Sequence, residues 1–96
     1  MTIKEDFKKA CEAINGRIVK GLFGEMVCRM EKTNVRIMEP FDALFVERWG
    51  KAGHTSIALS NLESIETSAL ETKAISKDGN FVKINREGRI AVSIFK

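Results

Sequence analysis

The chain is expected to be mainly β: an N-terminal α-helix, then a small, strongly bent antiparallel β-barrel, then an additional C-terminal β-hairpin. Three observations predict this. Apolar residues recur at helical spacing as far as Ile14 and, after Gly16, at a spacing of two. Short strand-like runs meet at tight corners, one at Pro40-Phe41-Asp42 and another at Leu59-Ser60-Asn61-Leu62. Two strong turn signals, Lys77-Asp78-Gly79-Asn80 and Asn85-Arg86-Glu87-Gly88, divide the tail.

The helix is placed at about residues 2–14. Thr2 and Glu5 form a capping box, each side chain reaching a free backbone N–H of the first turn. Ile3, Phe7, Ala10, Cys11 and Ile14 share one face, Lys4, Asp6, Lys8, Lys9 and Glu12 the other, and Asn15-Gly16 supplies a left-handed stop. The barrel is placed at about 17–68. Arg17–Phe23 reads as its first strand, turning at Gly24-Glu25, and Met26–Glu31 follows with Met26, Cys28 and Met30 on one face. Lys32-Thr33-Asn34 is either a turn or a bend within one long strand. Val35–Glu39 and Asp42–Trp49 flank Pro40, which lacks an N–H and so suits a corner. A loop at Gly50-Lys51-Ala52-Gly53 leads to strands Thr55–Leu59 and Leu62–Ser68. Residues 69–96 read as the extra hairpin, with Val82 and Ile84 alternating before its turn and Ile90, Val92 and Ile94 after it.

A chain of 96 residues makes one domain with a single modest core, so stability gained by self-association is expected. The net charge is +3, but residues 1–51 hold ten Lys/Arg against eight Asp/Glu and residues 52–96 hold six against five. The charges are interleaved, so a basic patch has to be assembled by folding or oligomerisation. The charged N-terminus, with no apolar block behind it, reads as lacking a signal peptide, and no stretch reaches transmembrane length. Cys11 and Cys28 have no close metal or redox spacing and read as small buried hydrophobes of a reducing cytoplasm. One His, no Tyr and scattered acids leave little for catalysis, so no enzyme, no cofactor and no metal are expected.

Gly16-Arg17-Ile18-Val19 after the helix, Glu39-Pro40-Phe41-Asp42 with the apolar run behind it, and Ile57–Ile65 together resemble the Sm-like family, which includes the LSm proteins and Hfq-type RNA chaperones. The resemblance covers roughly residues 2–67. It implies a short helix, five bent strands, a homo-oligomeric ring and single-stranded RNA as ligand. The family's third-strand Asn falls near Val46 and its second-motif pair near Ala58, Leu59 and Ser60, so its usual uridine pocket is not reproduced.

The candidate RNA-binding residues are Phe41 and Asp42 at the bend, Arg48, Trp49, Lys51 and His54 around the glycine loop, and Asn61 at the corner. Aromatic faces stack bases while Lys and Arg hold phosphates. Each has a plainer role: Phe41 in the core, Asp42 capping a turn, Trp49 packed under its loop, His54 as a surface imidazole, Asn61 as a turn residue. The expected partners are further copies of the chain and single-stranded RNA, with no membrane. The alternative is an oligomeric structural or protein-interaction module, including a phage-derived one, without nucleic acid.

Overall fold

Helix α1 spans Ile3–Ala13 and buries Phe7, Ala10 and Cys11. These positions belong to a computed structural model in which residues 3–38, 42–51 and 53–93 are described. Thr2 of the expected capping box lies outside them. The helix ends through two reversed bonds: Gly16 N–H donates to Cys11 O at 2.8 Å and Asn15 N–H to Glu12 O at 3.2 Å. Asn15 takes the left-handed conformation that this ending requires, with φ of 62°.

Gly16 is needed for a different reason. A Cβ there would lie 2.4 Å from the Cys28 sulfur and 2.7 Å from the Cys11 sulfur. Those sulfurs are bonded to each other, joining α1 to the second strand across 17 positions of sequence. This corrects the expectation of two separate, reduced cysteines. Both are buried as expected, but the helix face and the strand face that bury them bring them within bonding reach.

Nine strands follow among the described residues: β1 (Arg17–Lys20), β2 (Met26–Arg29), β3 (Thr33–Met38), β4 (Ala43–Gly50), β5 (Gly53–Leu59), β6 (Leu62–Thr67), β7 (Glu71–Ser76), β8 (Phe81–Asn85) and β9 (Ile90–Ser93). They form two antiparallel meanders, β1-β2-β3-β4-β5 and β6-β7-β8-β9. The mainly β class with one N-terminal helix is therefore as expected. A closed barrel is not found among the described residues, and the sheet boundary falls at Ser60-Asn61. Residues 69–93 are not an appended hairpin: β7, β8 and β9 join β6 in the second sheet.

Local chemistry explains these differences. Asn61 adopts a φ of 56°, and the pairing of β6 with β7 shifts register between Leu62 and Ser64, so the chain leaves one sheet and starts the other. The corner is tied by Leu62 N–H to Asp42 O and by Lys77 N–H to Asn61 O, each 2.8 Å. β1 stops at Lys20 rather than Phe23 because Gly21-Leu22-Phe23-Gly24 closes a turn, with Gly24 N–H bonded to Gly21 O at 3.1 Å. The chain does reverse between β2 and β3, but at residues 30–32 rather than at Lys32-Thr33-Asn34: Thr33 and Asn34 already belong to β3, and Met30 N–H donates to Thr33 O at 2.8 Å. The Pro40 corner lies outside the described residues, between strands paired from Met38 with Ala43 onward.

Register sorts the side chains. In the first sheet Cys28, Val35, Val46 and Ile57 lie side by side on the inner face, as do Met26, Ile37, Leu44 and Leu59. In the second, Ile65, Ala74 and Val82 face them. With Phe7, Ala10, Cys11 and Ile14 of the helix region they make one core, in which Val46 is fully buried. The polar threonine Thr72 is accommodated by donating to Ala10 O at 3.2 Å, which ties β7 to α1.

The Cys11–Cys28 bond closes a loop whose removal from the unfolded ensemble is worth roughly 3 kcal/mol. Mass spectrometry after alkylation without reductant should therefore find both thiols blocked from reagent, and the Cys11→Ala/Cys28→Ala variant should lose about that stability in urea unfolding. Two alkylated thiols in the native protein would refute the pairing.

Candidate functional site

The seven candidate residues fall into separate places. Phe41 lies outside the described residues. Asp42 and Asn61 sit together at the corner between the sheets, both in left-handed conformations with φ of 46° and 56°. Their backbone carbonyls hold Leu62 and Lys77, so the plainer reading of both as turn residues agrees with their geometry. Arg48, Trp49, Lys51 and His54 gather at the other end of the β4–β5 hairpin. Seven residues of extended strand separate Asp42 from Trp49, about 23 Å at the usual rise, so no single nucleotide touches both groups.

Within the second group the period of two divides the side chains again. Arg48 points inward. Its Nη1 donates to Gly88 O at 2.6 Å and to Thr33 Oγ1 at 3.0 Å, and the wholly buried Thr33 hydroxyl itself donates to Gly88 O at 2.8 Å. This clasp joins β3 and β4 of the first sheet to the β8–β9 turn of the second. Gly88 is suited to it twice over: its φ is +79°, and a Cβ would stand 2.7 Å from Thr33 Oγ1. The guanidinium is thus engaged within the fold.

Trp49 and His54 point outward and are opposite one another in the β4–β5 register. Their rings stack with centroids 5.1 Å apart and planes inclined by 30°. Trp49 keeps 44% of its surface exposed, so it is not packed under the loop. Lys51 is exposed in the turn that follows. Behind the stack, Glu47 is ion-paired with Arg36, and its other carboxylate oxygen lies 3.8 Å from His54 Nε2. Glu47 is thereby neutralised beside the aromatic pair. Farther along the same outer face Phe45 lies between Arg36 and Ala58, and Arg17 is opposite Arg29. Stacked rings with an exposed ammonium beside them can take a planar base against the rings and a phosphate on the cation.

Two features were missed from sequence. The outer row of Arg36, Phe45 and Glu47 was hidden because assigning faces needs the register. The exposure of Leu22 and Phe23, 97% and 88%, was missed because both were read as strand. The flanking pair Gly21 and Gly24 was the available signal.

Among the described residues no group of three or more His, Cys, Asp or Glu is placed to hold a metal, and no helix is long and apolar enough to cross a membrane. Comparison of the chain with family models, with curated proteins and with solved structures found no match.

Since Arg48 is held by two groups in the fold, Arg48→Met should lower unfolding stability by about 1–3 kcal/mol, and Thr33→Val by a similar amount. Oligonucleotide affinity, measured by anisotropy below the unfolding transition, should change less than twofold in Arg48→Met. A tenfold loss of affinity with unchanged stability would reassign Arg48 to the binding surface.

Proposed function

We propose that the chain is a self-assembling, Sm-like β-domain that binds single-stranded RNA and carries out no catalysis. The observation that supports this is the free edge of β5. Gly53–Leu59 pairs with β4 on one side and with no strand among the described residues on the other. Its only ionisable side chain is His54, and it contains no proline. It therefore lacks the charges, prolines and bulges that usually keep an edge from pairing. A neighbouring copy satisfies its outward N–H and C=O groups, and repetition of that contact builds a ring.

The Trp49–His54 stack lies at the start of this edge, so assembly repeats the stack and Lys51 once per subunit. A modest contact in one protomer becomes a multivalent one in the ring. The cytoplasmic setting expected from the sequence fits poorly with the Cys11–Cys28 bond, since cytosolic thiols are kept reduced. A protein-interaction module without RNA is the second reading, favoured by the exposed Leu22-Phe23 pair.

Light scattering on a sizing column should give a mass of several protomers. Labelled A-rich or U-rich oligonucleotides should bind it with an affinity that falls linearly in log–log plots against salt. Trp49→Ala and Lys51→Glu should each weaken binding about tenfold, the scale of one lost stacking contact, with the assembly mass unchanged. A monomer at high concentration would sink the assembly. An assembly that ignores both oligonucleotides at low salt would leave the interaction module in its place.

A further inference from the structure

The hairpin between β1 and β2 ends in a knob. Gly21 and Gly24 close the turn, and Leu22 and Phe23 project from it 97% and 88% exposed. Two adjacent, almost wholly exposed large apolar side chains at a loop tip are costly to leave in water. The same molecule carries a matching recess. Among the described residues β5 and β9 edge their respective sheets without pairing to each other, and the gap between them is a groove lined by Arg48, Thr55, Ile57, Arg89, Ile90 and Val92. Ile57 and Ile90 are the flank of the core, and Val92 is 45% exposed.

We propose that the Leu22-Phe23 tip of one copy docks into the β5–β9 groove of the next. This rests on the self-assembly reading above and specifies its interface. The knob and the groove are different surfaces of one chain, so the contact is head-to-tail, the kind that closes into rings. It is also continuous with the free edges: β1 and β5 are the two outer strands of the five-stranded sheet. When β1 of a neighbour lies along β5, the tip that follows Lys20 is carried to the rim of the groove beside β5. Backbone pairing and apolar docking then reinforce each other. An aliphatic recess rimmed by two arginines suits a phenyl ring, which gains from both surfaces.

The test uses the full chain. Leu22 and Phe23 are exposed in the protomer, so Leu22→Ser/Phe23→Ser should melt within a degree or two of the parent. It should raise the dissociation constant for self-association at least about a hundredfold, as expected for two lost apolar burials. Cys11 and Cys28 are paired with each other, which leaves introduced thiols free to report on the contact. Mixing Leu22→Cys with Val92→Cys protein should give a crosslinked heterodimer, and neither variant alone should crosslink efficiently.

A parent that stays monomeric at every concentration overturns this proposal and the assembly reading together. Assembly that survives Leu22→Ser/Phe23→Ser, without the mixed crosslink, overturns the docking alone. A mixed crosslink that forms only after residues 94–96 are deleted means that this segment occupies the groove, and overturns it. So does tip-dependent binding to anionic phospholipid vesicles in the absence of the crosslink, which would assign the tip to a lipid surface.

Discussion

Burial between two sheets that share no ladder among the described residues is the constraint on which the structure depends. Among the described residues the meander β1–β5 and the meander β6–β9 exchange no strand-to-strand pairing, so their apposition comes from the inner faces they cover for each other. Leu44, Val46, Ile37 and Val35 on one side meet Ile65, Ala74, Val82 and Ile84 on the other, and α1 adds Phe7, Ala10 and Cys11 from the side. Apolar attraction of this kind is strong but non-directional. It holds layers together without specifying how one is rotated on the other.

Orientation is supplied by a few directional contacts. The Cys11–Cys28 bond ties the helix to β2, and Thr72 ties the same helix to β7. The Arg48–Thr33–Gly88 clasp fastens the first sheet to the β8–β9 turn. The Asp42 and Asn61 carbonyls fasten the corner where the chain changes sheet. The Thr72 and Thr33 bonds also satisfy hydroxyls that burial would otherwise leave unpaired, so there fixing the orientation and avoiding a desolvation penalty are achieved by the same bonds.

Meanders have ends, and an end strand keeps one row of backbone groups unpaired within its sheet. A closed barrel consumes its edges; the two open sheets keep four among the described residues, of which β5 is the longest. The alternation of the β4–β5 hairpin divides its candidate residues by role: Arg48 turns inward and is engaged in the fold, whereas Trp49 and His54 turn outward and remain available. The same openness leaves the groove between β5 and β9. The open edge of β5 and the recess along its flank thus have one origin, two sheets that do not pair with each other among the described residues.

What the sequence determined by itself was local. The period of apolar residues specified α1, and Asn15-Gly16, Lys77-Asp78-Gly79-Asn80 and Asn85-Arg86-Glu87-Gly88 marked turns, because those effects act over a few residues. The burial of Cys11 and Cys28 was legible for the same reason. Their pairing was not, nor was the inward turn of Arg48, since both depend on which strand lies against which across dozens of positions. Tertiary structure alone decided that residues 62–93 make a second sheet rather than a barrel wall and a hairpin. The deciding events, a left-handed Asn61 and a register shift at Leu62/Ser64, are stabilised by bonds from Asp42 and Lys77, residues that no local pattern connects to the corner.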